Sequence, residues 1–279
     1  MTGVRVDGIL PKVAAEIGVE ITGTLGGGEF GAVLVCDREG RDLVLKAFEG
    51  VEWAPVFANG AAMCTLVRGD DYPAPEYIGT GVAAGATWSL QTLLPGEIPE
   101  RMSDAHAAEL LRLVRRHADA SDREGDTRER FRRVIGDAGG RLVAHEPTAS
   151  LATRMLEVIA ATEDVALRRC DVVHGDFHHR NFLAVGDEIT GVFDWEMASA
   201  GDWRADLVNL ACWSSWLDQV PDSATRIFVD AVEEACEPEV LALLSASHTL
   251  GVLDFNLRVH PEWLPDLVAN VEATTARWL

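Results

Sequence analysis

Two stretches of sequence decide the fold of this chain: VVHGDFHHRNFL at residues 172–183 and GVFDWE at residues 191–196. A short strand is predicted around residues 172 and 173 and another over residues 189–193, because both runs are rich in β-branched or aromatic residues. Asp176 and Asn181 therefore follow the first strand, five residues apart, and Asp194 ends the second. A purely structural Asp–Asn pair in a turn is the alternative, and it leaves the flanking strand pattern unexplained.

These three side chains have the chemistry that phosphoryl transfer requires. A carboxylate at the position of Asp176 can orient an acceptor hydroxyl and take its proton. Mg²⁺ prefers a few protein oxygens together with phosphate oxygens and water, and Asn181 and Asp194 can provide such oxygens. The spacing of Asp176 and Asn181 after a histidine is that of the protein-kinase catalytic loop. Glu196 is a candidate for a further metal ligand, a substrate contact or a structural residue.

A glycine-rich run near the N-terminus is a candidate phosphate-binding hairpin. Residues 26–33 read GGGEFGAV and fit G-x-G-x-F-G-x-V, with the pattern residues Gly26, Gly28, Phe30, Gly31 and Val33. The run lies between two predicted strands, which disfavours a Rossmann turn or a Walker loop. Glycine lets backbone N–H groups approach phosphate oxygens because no Cβ stands in the way. An ordinary glycine-rich turn is the alternative.

Lys46 is a candidate phosphate contact. It lies fifteen residues after Gly31 in a predicted strand, and Lys12 is the only other lysine of the chain, since arginine supplies all the remaining basic charge. A cation at this position can neutralise the α- and β-phosphates of a nucleotide. A surface lysine with a buried stem is the alternative, but the scarcity of lysine and the distance from the glycines favour the phosphate contact.

The first third of the chain is predicted to form a sheet and the remainder to be mainly helical. The predicted strands are residues 19–25, 31–36, 41–48, 77–82 and 86–93. One helix, with Pro55 in its first turn and its end near residues 68–69, is inserted among them. After the break at Pro95-Gly96, Ser103 is expected to cap a helix, residues 125–140 to form a loop or frayed helix, and Pro147 to open a helix towards Arg169. Three or four helices are expected after Asp202.

The composition of the chain limits the classes of molecule that it is expected to bind. The chain has 279 residues, 45 acidic against 24 basic, and a net charge of -21. Such an excess repels nucleic acid and anionic membranes and attracts cations. No run approaches the ~18 apolar residues of a membrane span, and the first ten residues lack the pattern of a signal peptide. The five cysteines have no disulfide-frame or zinc-site spacing, which favours reduced thiols in the cytoplasm.

The order and spacing of these motifs resemble the aminoglycoside phosphotransferase family, which also contains small-metabolite kinases. The resemblance rests on HGDFHHRN (174–181) followed by FDWEMASAGDWRADL (193–207), and it spans residues 26–216. It implies a protein-kinase-like, two-lobed α+β fold. A small antiparallel β-sheet lobe with one helix would occupy residues 1–94, and a larger, mainly helical lobe residues 95–279.

The resemblance also implies a role for each motif. It makes Asp176 the catalytic base, Asn181 and Asp194 the Mg²⁺ ligands, and Lys46 a phosphate contact. ATP would lie between the lobes, with the carbonyl of Thr92 and the N–H of Leu94 as adenine partners, although GTP is an open alternative as donor. Asp206 matches a buried structural aspartate of the family, and His178 matches a residue expected to be an anchor in the core.

The chain departs from the family in the helix of the sheet lobe. Members usually have a glutamate there that pairs with the lysine, whereas the stretch FANGAAM (57–63) has none. Glu49 and Glu52 are the nearest candidates for the partner of Lys46. His179-Arg180 replaces the common Pro-Gly, and Arg180 is expected to point to solvent.

The leading functional hypothesis is ATP-dependent phosphorylation of a hydroxyl on a cationic antibiotic, either an aminoglycoside or a basic cyclic peptide. Carboxylates and aromatic faces suit an amine-bearing substrate, and the C-terminal third offers Asp218, Asp254, Glu262, Asp266, Trp213, Trp216 and Trp263. Solvated helix faces and core tryptophans are the alternative for these residues. A metabolic kinase for choline, homoserine or a sugar is the second hypothesis. A non-catalytic nucleotide-binding protein is disfavoured, because it has no need of all three of Asp176, Asn181 and Asp194.

Overall fold

A computed structural model describes residues 6–25, 32–69, 71–136 and 138–279. The glycine-rich run falls between the first two ranges. The predicted phosphate contacts of Gly26, Gly28, Phe30 and Gly31 therefore lie outside the described residues, whereas Val33, Lys46, Thr92 and Leu94 lie within them.

A five-stranded antiparallel sheet forms the N-lobe and confirms all five strand predictions to within two residues at each end. Its strands are β1 Glu20–Thr24, β2 Ala32–Cys36, β3 Asp42–Glu49, β4 Tyr77–Ala83 and β5 Ala86–Thr92. The strand order is β1-β2-β3-β5-β4. Lys46 on β3 is paired with Ser89 on β5, so these two residues are cross-strand neighbours near the middle of the sheet.

Two helices accompany the sheet, where one is predicted. Helix α2, Ala54–Val67, has Pro55 in its first turn and ends close to the predicted residue. Helix α1, Val6–Ile17, is not predicted. Its apolar residues Leu10, Val13 and Ala14 are buried against the sheet, and their i, i+3, i+4 spacing is the helical signal. Pro11 inside the segment obscures this signal.

The C-lobe is mainly helical, as predicted. Its helices are α3 Asp104–Arg115, α4 Thr127–Ile135, α5 Ala138–Ala144, α6 Ala149–Ala161, α7 Arg204–Trp216, α8 Asp222–Ala235, α9 Pro238–Val259 and α10 Leu264–Thr274. Its short strands are β6 Asp171–Val173, β7 Phe182–Val185, β8 Glu188–Val192 and β9 Ser199–Gly201. The pairs β6–β9 and β7–β8 are both antiparallel, and β7 and β9 are not predicted. Short 3-10 turns occupy Trp195–Met197, Pro261–Trp263 and Ala276–Trp278.

The C-lobe confirms one predicted cap, favours the helical alternative for residues 125–140 and shortens one predicted helix. Ser103 caps α3 as expected, because its Oγ accepts a hydrogen bond of 3.2 Å from the backbone N–H of His106. The stretch 125–140, predicted to be a loop or a frayed helix, contains α4 and the start of α5, and the Asp126 side chain caps α4. Helix α6 ends at Ala161, well before Arg169. The backbone N–H of Arg168 instead bonds Asp202, 3.0 Å away.

Helix α9 runs through the C-lobe. Among the described residues it is the one helix long and apolar enough in composition to span a membrane, but 67% of that apolar window is buried inside the protein. It contacts each of the helices from α4 to α7 and also α10. Helix α9 is therefore a core helix around which the C-lobe packs.

The connection between the lobes is anchored to the β7–β8 hairpin. The backbone N–H of Glu97 donates to the carbonyl of Ala184 at 3.1 Å, and the N–H of Ala184 donates back at 2.9 Å. The Thr190 hydroxyl donates to the carbonyl of Pro95 at 2.6 Å. These bonds fix the position at which the chain leaves the sheet.

Helix α2 is held directly against the segment that follows Asp194. The Asn59 side chain donates to the carbonyl of Ala198 at 2.6 Å. A Cβ on Gly60 would collide with the carbonyl oxygen of Trp195 and lie 3.0 Å from the Cα of Glu196. Only glycine allows the helix to approach this backbone so closely, so residue 60 links the two lobes.

We therefore expect Gly60→Ala to destabilise the protein by about 1–3 kcal/mol, the usual cost of overpacking a close contact. The matched control is Gly140→Ala in α5, where a Cβ has open space and helix propensity should add about 0.5–1 kcal/mol of stability. Urea unfolding of both variants measures the two changes. Equal stability of Gly60→Ala and the parent would show that the helix is not tightly held.

Candidate active site

The turn that carries Asp176 is fixed from below by a buried carboxylate. Asp206, on α7, accepts hydrogen bonds from the backbone N–H groups of His174, at 2.7 Å, and Gly175, at 2.8 Å. His117 Nδ1 lies 3.0 Å from Asp206, and Tyr72 Oη lies 2.7 Å from the other ring nitrogen of His117. Burial acts to raise the pKa of Asp206, but the hydrogen bond from His117 and the nearby imidazoles outweigh it, so the pKa is lowered.

His174 ties the two signature stretches together. Its Nε2 donates to the carbonyl of Phe193 at 2.9 Å, so its Nδ1 is the acceptor for the backbone N–H of Asp176 at 3.3 Å. Burial lowers the pKa of His174 to about 4, and the ring is neutral at physiological pH. One imidazole thereby fixes the distance between the turn at Asp176 and the strand end at Asp194.

Gly175 is required by both its backbone and its surroundings. Its φ is +84°, a conformation that strongly favours glycine. A Cβ at this position would collide with the guanidinium of Arg130, which donates to the carbonyl of Gly175 at 3.0 Å. Arg130 belongs to α4, in the stretch predicted to be a loop or a frayed helix, and no motif in the sequence indicates this contact.

Asp176 lies between an amide and an imidazole. Asn181 Nδ2 donates to Oδ2 of Asp176 at 2.9 Å, and His178 Nε2 lies 3.3 Å from Oδ1. Burial acts to raise the pKa of Asp176, but His178 outweighs it, so the pKa is lowered and the carboxylate is ionised. The side chain is 44% exposed and open to a ligand. His178, expected to be a core anchor, contacts the predicted base directly.

The predicted metal ligands are neighbours. The N–H of Phe193 donates to the carbonyl of Asn181 at 3.1 Å, which brings residue 181 beside the strand end at Asp194. Because the Nδ2 of Asn181 is occupied by Asp176, its Oδ1 is the atom left for a cation. Asp194 has a φ of +72°, in the left-handed region that aspartate tolerates better than most residues.

Lys46 reaches across from the sheet to two acidic side chains. Its Nζ lies 2.7 Å from Oδ1 of Asp194 and 3.1 Å from Oε2 of Glu196. Burial acts to lower the pKa of Lys46, but the two carboxylates outweigh it and the pKa is raised. Glu49 and Glu52, the candidates from sequence, are exposed and have no contact with Lys46 among the described residues. The partners come from the other lobe.

The two carboxylates beside Lys46 differ in burial. The Glu196 side chain is only 6% exposed, whereas that of Asp194 is 44% exposed. Burial raises the pKa of Glu196 to about 7 despite the attraction of Lys46. Burial acts in the same direction on Asp194, but there the charge of Lys46 dominates and lowers the pKa well below its ordinary value.

These residues fit a magnesium ion that is held jointly with a nucleotide. No cluster of three or more histidine, cysteine, aspartate or glutamate residues able to hold a metal alone occurs in the described part of the chain. Mg²⁺ usually takes one or two carboxylates and completes its shell with phosphate oxygens and water. Asn181 and Asp194 match that limited protein contribution.

Thr92 and Leu94, the predicted adenine partners, lie at the connection between the lobes, whereas Val33 does not. Val33 is paired with Leu45 and buried in the core cluster beneath α1, on the face of the sheet opposite Lys46. Thr92 ends β5. The Thr92 hydroxyl accepts the N–H of Glu76 at 2.9 Å, which fixes this strand end. Leu94 lies against Gly191, since a Cβ on that glycine would be 2.8 Å from Leu94 Cδ1. The sheet and the β7–β8 hairpin therefore meet at Leu94.

A row of rings leads away from Asp176. Successive ring centroids are 5.5 Å apart for His178 and Trp213, 5.6 Å for Trp213 and Trp216, and 5.8 Å for Trp216 and His248. His179 also lies beside Trp213. Burial lowers the pKa of His179 to about 3 and that of His248 to about 4, so both rings are neutral at physiological pH.

An acidic surface cavity of about 390 Å³ adjoins Trp216, and its lining also includes Asp218, Asp266 and Asn270. Neither aspartate has an ion-pair partner among the described residues. Asp254, one of the carboxylates considered for substrate binding, is different. It is buried and bonded to Arg141 at 2.8 Å and to Arg258 at 3.0 Å. Its charge is therefore neutralised within the protein.

Comparison with known proteins identifies the broad class. The family model described as "Phosphotransferase enzyme family" matches residues 20–243, whereas no curated protein sequence matches the chain. The structure of aminoglycoside phosphotransferase APH(4)-Ia is 20% identical, with a TM-score of 0.71 over 94% of this chain and 95% of that one.

Two further structures share the fold. Amicoumacin kinase hAmiN, in complex with AMP-PNP, Ca²⁺ and Ami, is 14% identical, with a TM-score of 0.64 over 97% of this chain and 94% of that one. Macrolide 2'-phosphotransferase MphH from Brachybacterium faecium is 18% identical, with a TM-score of 0.57 over 91% and 96%. At these identities the likeness establishes the two-lobed fold.

We expect Asp194→Asn to weaken the binding of Mn²⁺, a spectroscopic substitute for Mg²⁺, to the complex of the protein with AMP-PNP by about 10-fold or more, because a neutral amide replaces an anionic ligand. Electron paramagnetic resonance of free Mn²⁺ measures the affinity. The matched control is Asp230→Asn, an exposed residue of α8. Unchanged Mn²⁺ affinity in Asp194→Asn would remove Asp194 from the metal site.

Proposed function

Because the chain belongs to the phosphotransferase enzyme family, we propose that it transfers the γ-phosphoryl group of ATP to a hydroxyl of a cationic antibiotic, an aminoglycoside or a basic cyclic peptide, and so confers resistance. The observation that supports the transfer best is the connected geometry of Asp176, Asn181, Asp194 and Lys46. A phosphotransferase requires a base, a metal site and a phosphate-binding cation within one cleft. Lys46 contacts Asp194 and Asn181 contacts Asp176, and the backbone hydrogen bond from Phe193 to Asn181 brings the two pairs together.

In this proposal Asp176 orients the acceptor hydroxyl and takes its proton. One oxygen of Asp176 is held by Asn181 and the other lies beside His178, which limits rotation of the carboxylate, while 44% of the side chain stays exposed to a ligand. Its lowered pKa keeps it ionised and ready to accept the proton. Asn181 and Asp194 would hold Mg²⁺, which would neutralise negative charge on the phosphates. Lys46 would contact the same phosphates.

The nucleotide would lie between the lobes. The glycine run 26–31 would cover its phosphates, and the carbonyl of Thr92 and the N–H of Leu94 would bind adenine. The division into a nucleotide-binding lobe, 1–94, and a catalytic and substrate-binding lobe, 95–279, belongs to the same proposal. So does a cytoplasmic location, where ATP is available.

A cationic acceptor is supported by charge. The chain has a net charge of -21, and the cavity next to Trp216 presents Asp218 and Asp266 without ion-pair partners among the described residues. Two of the proteins with the same fold are an aminoglycoside phosphotransferase and an amicoumacin kinase. The same charge disfavours nucleic acid and anionic membranes as partners.

A kinase for a small neutral or singly charged metabolite, such as choline, homoserine or a sugar, is the second candidate. One observation favours it: the rings of His179 and His248 are neutral, and Asp254 is neutralised by Arg141 and Arg258. A hydroxyl on an uncharged ring would suit that surface. A non-catalytic nucleotide-binding protein has no need of a carboxylate held as Asp176 is held.

We expect Asp176→Asn to lower kcat by about 10²-fold or more, the usual scale for loss of a general base, with ATP affinity nearly unchanged. Steady-state kinetics with ATP and the best acceptor among aminoglycosides, basic cyclic peptides and amino alcohols measure both quantities. Asp230→Asn is again the matched control. Parental turnover in Asp176→Asn at saturating substrates would exclude Asp176 as the base.

The substrate class makes a separate prediction about salt. Attraction of a polycation to an acidic cleft should weaken as added KCl shortens the Debye length from ~10 Å at 0.1 M to ~3 Å at 1 M. We therefore expect kcat/KM for an aminoglycoside or a basic cyclic peptide to fall steeply with KCl at saturating ATP, while a neutral amino alcohol responds little. Faster turnover of the neutral alcohol at every salt concentration would favour the metabolic kinase.

A further inference from the structure

We propose that Glu196 is a positioning residue for Lys46 and not a metal ligand, and that it takes over the role of the glutamate missing from α2. Asp194 is thereby left for the metal. The inference rests on the proposed function, since it assigns Lys46 to nucleotide phosphates. Unlike Asp176 and Asp194, Glu196 acts on the nucleotide only through Lys46.

Both oxygens of Glu196 are engaged by neighbours on the sheet. Oε2 is 3.1 Å from Lys46 Nζ, and Oε1 accepts the Ser89 hydroxyl at 3.3 Å. Lys46 and Ser89 are cross-strand partners on β3 and β5. Two adjacent side chains on one face of the sheet therefore bind the same carboxylate. This arrangement fixes the position of Glu196 relative to Lys46.

The difference in burial between Asp194 and Glu196 suits one to a metal ion and the other to Lys46. Mg²⁺ dehydrates reluctantly and usually keeps several waters, so its protein ligands must face solvent or substrate. The Asp194 side chain is 44% exposed, whereas that of Glu196 is 6% exposed and covered by the sheet. Lys46 touches both residues. Once Asp194 turns to a cation, Glu196 remains as the partner of Lys46.

The position of α2 explains why the acidic partner comes from the other lobe. Helix α2 has no acidic residue along its length, and at Gly60 it contacts the backbone of Trp195 and Glu196 directly. The hydrogen bond from Asn59 to Ala198 fixes the same segment on its far side. The backbone that carries Glu196 therefore lies against α2, and its side chain reaches Lys46 from there.

The test is a double-mutant cycle on nucleotide binding, read by calorimetry with AMP-PNP and Mg²⁺ and without any acceptor. We expect Glu196→Gln to raise the Kd by about 10-fold, since a charge-assisted hydrogen bond to Lys46 is weakened. In a Lys46→Ala background the same substitution should change the Kd by less than about 2-fold, because the residue through which it acts is gone. Additive effects of the two substitutions would overturn the proposal.

A second readout separates positioning from metal binding. Mn²⁺ affinity in the AMP-PNP complex should change by less than about 2-fold in Glu196→Gln, in contrast to Asp194→Asn. Weakening of Mn²⁺ binding to the same degree in both variants would make Glu196 a metal ligand and refute the assignment. Glu49→Gln and Glu52→Gln are the matched controls. An increase in Kd in either control equal to that of Glu196→Gln would also refute it.

The variants allow for misfolding and for failure of the proposed function. Ser89→Ala removes one donor to Glu196 without changing charge, so it should raise the AMP-PNP Kd in the same direction but less. If Glu196→Gln lowers the melting temperature strongly, Ser89→Ala decides the matter, and an unchanged Kd there counts against the proposal. A parent protein that binds no nucleotide would instead refute the proposed function itself.

Discussion

The buried carboxylate of Asp206 is the constraint on which the site depends. A carboxylate in the protein interior must be hydrogen-bonded, because an unpaired buried charge is very costly. Here it is satisfied by two backbone N–H groups of the turn that carries Asp176 and by His117. The turn cannot shift without exposing that charge to an apolar core. The position of Asp176 is therefore set from beneath, by a residue that never meets substrate, and His174 extends the same constraint to the strand that ends at Asp194.

The ammonium group of Lys46, which bridges the two lobes, is the second interaction that organises the site. Lys46 lies on the sheet, whereas both of its partners lie in the C-lobe segment after β8. Gly60 holds α2 against that same segment. The sheet, helix α2 and the segment after β8 are therefore packed together. The connection at Glu97 and Ala184 closes the other side of the cleft. The cleft is therefore fixed on two sides, by α2 and by the connection between the lobes. The predicted site residues Asp176, Asn181 and Asp194 lie near the ends of short strands.

Local patterns were sufficient to predict most elements and the site motifs, and two of the failures share a cause, a contact between residues far apart in sequence. Strand alternation gave β1 to β5, and spacing gave Asp176, Asn181 and Asp194 as a group. The partner of Lys46 was mispredicted because Glu196 is 150 residues distant in sequence and only the approach of α2 brings it near. Asp254 was considered for substrate binding because Arg141, its neutralising partner, is 113 residues away. Helix α1 was missed for a local reason, since Pro11 masks its apolar face.

The contact between Gly175 and Arg130 has a consequence for how such sequences can diverge. The middle residue of the His-Gly-Asp turn has no room for a side chain while an arginine occupies position 130. A larger residue at 175 must move that guanidinium aside and weaken its hydrogen bond to the carbonyl of residue 175, and it must also adopt a φ of +84°, which strains most residues other than glycine. The two positions are thus structurally coupled. Replacement of Arg130 alone would relieve the collision but not the backbone strain, so the glycine should be retained even where the arginine has been replaced.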